Sequence, residues 1–376
     1  MMSAITTQPP ATAPEETKLR LHQVTADSAY TLYGSAAAAV ALDWVLYERV
    51  LPFSGVLGFW VCWYLLFVAF YASLARLQWD ALAARDRVVS VALSAAAIVA
   101  IGVVTDVVGY VLVEGWIVVH HVTFLTESLS MEGPLSPVWV GGVAHAIVGT
   151  LEQLSLATII SVPLGIAAGL FLAEIGGRLA RPVRTIVDAM TSLPDIIAGL
   201  FILAFVILTL GIQKNGFMAA LALGVTMLPI VCRASETVLR LVPNTLREAS
   251  YALGGSQWRT VLLVVVPTAR SGLTTAVVLA MARGIGETAP VLLTAGYSKV
   301  MNTNPFNGWQ TSLPLFIYNE AQLPQESEKI RAYGAGFVLI VLVLILFTIA
   351  RRIGGGAPGE LTRRQRRRIA REATRA

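Results

Sequence analysis

Eight apolar stretches set the frame for this chain: residues 34–50, 55–74, 88–113, 143–172, 183–210, 217–239, 264–294 and 334–350. A helix needs about 20 apolar residues to cross a bilayer, and most of these stretches reach or approach that length. Inside lipid every backbone N–H and C=O must be satisfied within the protein, which for long continuous apolar runs means helix. The expected fold class is therefore an all-α polytopic membrane protein. Charged residues make up only 14% of the 376 and apolar residues 56%, whereas a soluble domain carries about 25% charge. Stretch 34–50 is the weakest, because Asp43 interrupts it and Glu48 and Arg49 close it. The aromatic set Trp60, Trp63, Tyr64, Phe67, Phe70 and Tyr71 in the second stretch suits an interfacial and lipid-facing helix better than a cofactor surface.

Arginine placement predicts one orientation. Arg76, Arg85 and Arg87 lie between the second and third stretches, Arg178, Arg181 and Arg184 between the fourth and fifth, and a run from Arg351 to Arg375 follows the eighth. The alternate connections, 51–54, 114–140, 211–216 and 296–333, hold mainly Lys214, Lys299, Lys329 and Arg331. Cationic loops stay in the cytoplasm. The expectation is thus a multi-pass protein of the cytoplasmic (inner) membrane with both termini cytoplasmic. The basic tail, residues 351–376, reads as a contact with anionic membrane lipid and not with nucleic acid. Residues 1–33, rich in Pro, Thr and Ala, lack the basic start and apolar core of a signal peptide and are expected to be a disordered cytoplasmic tail.

Several chemistries find no support. Cys62 and Cys232 fall in apolar runs, and His120, His121 and His145 share no ligand spacing with a carboxylate or thiol. No metal site is expected. The chain has no P-loop, no nucleophile elbow and no HExxH, so it is not expected to be an enzyme or to bind ATP itself.

Within the frame, one stretch stands out. In 248–267, EASYALGGSQWRTVLLVVVP, a short helix places Glu248 and Ala249 ahead of Gly254, where the chain can turn at positive φ. Pro267 suits the first turn of the next helix. Together they predict a rigid knob on the cytoplasmic face, suited to a groove on a partner. Charges also sit deep in the apolar stretches. Arg283 and Glu287 are one turn apart, with Arg283 about 24 Å along the helix from Pro267. Arg233 lies in the preceding stretch with no close partner apparent in sequence. A charge at such depth costs about 2.5–3.5 kcal/mol on insertion scales and turns toward a bundle interior. Two readings stand side by side: arginines lining an anion route with Glu287 bracing Arg283, or an Arg–Glu pair that fixes helix packing. Gly284 and Gly286 permit close helix approach or substrate passage, and Asp195, beside Pro194, faces the same cavity, pairs with Arg233 or caps beside the kink.

Glu248-Ala249-Ser250, Gly254 and Val264-x-Val266-Pro267 resemble the EAA loop of ABC importer permeases, with Ser250, Val264 and Val266 as mild departures and the glycine-to-proline spacing kept. RLVPNTLREASYALGGSQW, MARGIGETAPVLLTAG and PIVCRASETVLRLVP further resemble the PstA branch of the phosphate importer permeases. The resemblance covers roughly 88–350. It implies a six-span type I ABC importer permease core (MetI-like) over residues 88–350, with a coupling loop at 240–263. Residues 34–87 then supply two extra N-terminal transmembrane helices and a basic loop. It further implies phosphate translocation past Arg233, Arg283 and Glu287, and docking of an ATPase at Glu248, Ala249, Gly254 and Pro267. The implied partners are a paired PstC-like permease, PstB-like ATPase subunits that use ATP and Mg, and an extracytoplasmic PstS-like binding protein. No cofactor is bound by this chain itself. A permease for another oxyanion, a passive anion channel and a membrane enzyme are the alternatives, and the docking loop argues against the last two.

Overall fold

The computed structural model describes residues 26–50, 55–130, 133 and 136–354. The expectations for the first 25 residues, for the turn at 51–54 and for the arginines beyond Gly354 lie outside the described residues; residues 26–33, expected to belong to the disordered tail, are instead helical and open α1. Every regular element among the described residues is helical. Contacts divide the chain into two units that meet between Asp106 and Val107.

In the first unit, α1 (Ala26–Val45) pairs with α2 (Val56–Gln78). Ala39, Phe67 and Tyr71 form its core, and the rings of Trp63, Phe67 and Tyr71 stack along one face of α2. Trp63 and Tyr71 thus serve the helix pair as well as its surface. Thr31 Oγ1 donates to Gln78 Oε1 at 2.6 Å, tying the start of α1 to the end of α2. Of the two extra N-terminal helices, α2 is long and apolar enough to cross a membrane; α1 falls short of that measure. Its apolar face is largely alanine, and Asp27 and Asp43 lie within it. The helix α3 (Ala81–Val119) begins in this unit and ends in the second.

The second unit holds α4 (Val122–Thr126), α5 (Ala144–Leu170), α6 (Ala180–Ser192), α7 (Asp195–Phe201), α8 (Gly216–Arg240), α9 (Asn244–Ala252), α10 (Gln257–Thr260), α11 (Val266–Gly284), α12 (Ala289–Thr294), α13 (Leu313–Ala321) and α14 (Glu326–Gly354). The helix α8 is its axis. It is buried on most sides, against α5 and α11 above all. Leu154, Ala157, Leu223, Met227, Val231, Ala280 and Ile285 close the centre. Small residues let the backbones meet: a Cβ on Gly169 would stand 2.9 Å from the Cys232 carbonyl oxygen. Pro163 and Pro229 sit inside α5 and α8 without ending them.

Six helices among the described residues have the length and apolarity to span, and a bent pair makes a seventh. That pair departs from the expectation of one span over 183–210. The chain bends by 104° between α6 and the segment Asp195–Thr209. Pro194 is the cause. It cannot continue the helical hydrogen bonds and it drives Leu193 to extended backbone, ψ 133°. The stretch 264–294 is also broken. Its helix starts earlier, at Gln257, and ends at Gly284, with short turns through Glu287 before α12. Residues 296–333, read as a loop, include α13 and the start of α14.

Candidate functional site

The bend at Pro194 sends two aspartates to two different arginines. Asp195, the first residue of α7, forms an ion pair with Arg283 in the last turn of α11. Glu287 lies in the break after α11, with its Oε1 3.6 Å from Arg283 Nε. Arg283 therefore stands between two carboxylates, with half of its side chain still exposed. The pairing of Arg283 with Glu287 survives the helix break. Gly284 packs tightly, since a Cβ there would sit 2.7 Å from Met227 Sδ, whereas a Cβ on Gly286 would make only an ordinary contact, 3.8 Å from the Arg283 carbonyl oxygen. Gly284 thus answers to packing, and only Gly286 leaves bare backbone beside the charged group.

Arg233 is not without a partner, contrary to the sequence expectation. It pairs with Asp188 on α6, and its Nη1 lies 3.2 Å from Glu236 Oε2 one turn along α8. The alternative pairing of Asp195 with Arg233 is not formed. Glu236 Oε1 accepts from Arg184 and from Arg240, each at 2.7 Å. Sequence reading missed Asp188, Glu236, Arg184 and Arg240 as a group. The spacing Arg233, Glu236, Arg240 does put all three on one helical face; the α6 contribution is a tertiary fact.

The knob has the expected form. No residue of α9 is buried, and Glu248 and Ala249 are exposed. Gly254 turns the chain at φ +81°, with its N–H 2.9 Å from the Tyr251 carbonyl. The next N–H, of Gly255, bonds the Ser250 carbonyl at 2.9 Å, so the helix ends in two capped carbonyls. Leu253 at the tip is 90% exposed. The base is held by Arg247, whose Nη2 and Nε fork onto Glu174 at 2.6 and 3.2 Å, and which also donates to the Val242 and Leu239 carbonyls. A two-bond fork fixes direction as well as distance. Nothing in the sequence pattern marked Glu174, 73 residues away.

Pro267 is the second residue of α11, in its first turn as expected. What the sequence did not show is that a wide π turn, Val261–Val265, joins α10 to α11, so that helix continues from Gln257 to Gly284. Such a turn absorbs the missing N–H and ring bulk of proline. The Thr268 hydroxyl donates to the Val264 carbonyl at 2.6 Å.

At the opposite end of α8, Arg331 is fully buried. It pairs with Glu328 at 3.0 Å and donates to the carbonyls of Pro137 and Val140. It is a structural clamp and not a loop charge. Nearby, Glu320 in α13 accepts from the Tyr297 hydroxyl and faces Lys299 Nζ at 3.6 Å. Burial, and next a hydrogen bond to Glu328, raise the Glu320 carboxyl above its ordinary range.

The family model for the binding-protein-dependent transport system inner membrane component matches residues 161–355. The phosphate transport system permease protein PstA 1 of Mycobacterium tuberculosis (strain ATCC 25618 / H37Rv) is 44% identical over 234 residues, which are 62% of this chain and 75% of the relative. The phosphate transport system permease protein PstA of Pasteurella multocida (strain Pm70) is 37% identical over 231 residues, 61% of this chain and 81% of that one. Among solved structures, an inward-facing form of the MetNI methionine ABC transporter aligns with a TM-score of 0.46 at 23% identity, covering 60% of this chain and 98% of that chain. The match takes in α6 to α14 with both arginine groups and the knob between them, and on it the chain belongs to the binding-protein-dependent transport system inner membrane components, among the PstA permeases.

Proposed function

We propose that this chain is a transmembrane permease subunit of an ATP-driven ABC importer that carries inorganic phosphate across the inner membrane. The observation that carries the reading is 44% identity to a phosphate transport permease over three quarters of that relative's length. The site chemistry agrees with it. Arg233 and Arg283 each keep a carboxylate partner and partial exposure, so an oxyanion meets positive charge that is already moderated. A route must bind its ion strongly enough to admit it and weakly enough to release it. Arg233, Arg283 and Glu287 are the proposed pathway residues.

The chain is a transporter subunit and not an enzyme. ATP and Mg act on PstB-like partner subunits. Those subunits dock on the knob formed by Glu248, Ala249 and Gly254, at the head of the helix that contains Pro267. A PstC-like permease completes the route and a PstS-like protein delivers phosphate from outside. Closure of the ATPases pushes on the knob. The Arg247–Glu174 fork passes that push to the end of α5, and α10 passes it to α11.

In the proposed orientation the knob and both termini are cytoplasmic. Seven crossings would place the termini on opposite sides, so this arrangement requires α1 to cross as well. Labelling cysteines at Ser3, Ser256 and Asn304 from each side checks it. Access to Ser256→Cys from outside would sink the orientation, and access to Ser3→Cys from outside would limit the chain to seven crossings. The function itself is tested in proteoliposomes that hold all four components. ATP-dependent phosphate uptake is expected, and sulfate or molybdate uptake in its place would move the chain to another oxyanion.

A further inference from the structure

The face of α8 that carries Arg233 does not end there. Arg233, Glu236 and Arg240 follow one another at three and four residues, forming one row over the last two turns, about 10 Å of rise. The helix α6 lies against this row and adds Asp188 and Arg184. Glu236 is the centre of the group. Its side chain is 7% exposed, and its two oxygens accept from three guanidinium groups on two helices.

The count of charges is informative. Three arginines face two carboxylates, which leaves one positive charge in excess. A clip that only fixed α6 to α8 needs one arginine per carboxylate. The surplus is also accessible. Arg184 and Arg240 keep 40% and 53% of their side chains exposed. A guanidinium has five N–H donors, and Arg184 donates to Glu236 through one nitrogen. Unused N–H groups therefore remain beside a buried carboxylate that holds them in a fixed fan.

We infer that Arg184 and Arg240 join Arg233 in an oxyanion-binding ladder between the Arg283 group and the knob end of the bundle, and that Glu236 is its positioning residue. The ligand class is a tetrahedral oxyanion, inorganic phosphate in the first place. The inference rests on the phosphate-import reading. Glu236 has two effects. It holds three like charges close together, and it lowers their net charge so that the anion leaves toward the cytoplasm. Replacing it by glutamine raises the net charge of the group by one unit, so phosphate is held longer and not less. Removing Arg184 weakens the hold. The two changes act in opposite directions on binding and in the same direction on transport.

The test uses the complete transporter, with its binding protein and ATPase, in proteoliposomes. Phosphate uptake per assembled complex and ATP hydrolysis are measured together for Glu236→Gln, Glu236→Asp, Arg184→Gln and Arg184→Lys. Retention of labelled inorganic phosphate by the purified complex is measured alongside. Phosphate moved per ATP is expected to fall about tenfold for Glu236→Gln and about fivefold for Arg184→Gln, with partial recovery in Glu236→Asp and Arg184→Lys. Retention is expected to rise in Glu236→Gln and to fall in Arg184→Gln. Normal phosphate per ATP in Arg184→Gln overturns the ladder. So does a joint loss of assembly and transport that the Arg184→Gln/Glu236→Gln double variant restores, because a packing clip predicts that pattern. If Glu236→Gln does not assemble, Arg184→Gln, at an exposed side chain, decides alone. A wild-type complex that hydrolyses ATP and moves no phosphate removes the import reading and the ladder together, an outcome separable from variant-specific failure.

Discussion

Arg283 is held from two sides, by Asp195 across the bend of α6 and α7 and by Glu287 beyond the end of its own helix. That geometry separates the pathway reading from the packing reading. If Arg283 touches phosphate, Arg283→Gln loses a charge-assisted contact worth about 1.5–3 kcal/mol, or roughly tenfold and more in uptake. Arg283→Lys recovers part of it, since lysine keeps the charge and loses the planar fork. If Arg283 is only a brace, removing it leaves two carboxylates face to face and assembly fails first. The change of Arg283→Gln together with Asp195→Asn and Glu287→Gln then restores assembly and uptake. Uptake per assembled complex in that triple variant is the deciding measurement, and a normal value would take Arg283 out of the pathway. The sequence reading saw Arg283 and Glu287 as a pair because four residues is one turn. Asp195, 88 residues away, joins them only through the fold.

At the scale of an element, the knob depends on one backbone conformation. Gly254 sits at φ +81° with no atom within 4 Å of an added Cβ, so a substitution there is resisted by the backbone and not by crowding. Gly254→Ala is expected to cost about 1–2 kcal/mol of local strain and to weaken co-purification of the ATPase partially. Gly254→Pro forbids positive φ and removes the N–H that bonds Tyr251, and is expected to abolish co-purification while the protein still inserts. Equal retention of the ATPase by wild type, alanine and proline variants would disprove the docking role. The knob was legible in sequence because its signals are local: a short polar helix, then a glycine. Pro267 was legible for the same reason, as a first-turn proline of α11. The π turn that joins α10 to α11 carries no such local mark and appears only in the fold.

For the whole molecule, the unit from Val107 onward has its own cores around α5, α8 and α11, and the family match lies wholly within it. A chain lacking residues 1–74 is therefore expected to insert, to assemble with its partners and to keep a measurable part of its uptake. Loss of a folded, membrane-inserted product would show that α1 and α2 belong to the scaffold. The same change tests whether Arg76, Arg85 and Arg87, which the fold places at the end of α2 and the start of α3, orient α3 without them.

The sequence by itself determined the solvent of this protein, its helical class, its knob and the charges Arg233, Arg283 and Glu287 within its apolar stretches. Each of these follows from neighbours along the chain: a run long enough for a bilayer, a glycine after a short helix, an arginine where lipid excludes it. Tertiary structure alone decided which charges meet. Arg233 chose Asp188 and not Asp195 because Pro194 turns the chain by 104° between the two aspartates. Glu236 gathered Arg184 because α6 folds back on α8, and Arg247 reached Glu174 across the end of α5. Ion pairs are short-ranged in space and indifferent to distance along the chain, so no local pattern could have named those partners.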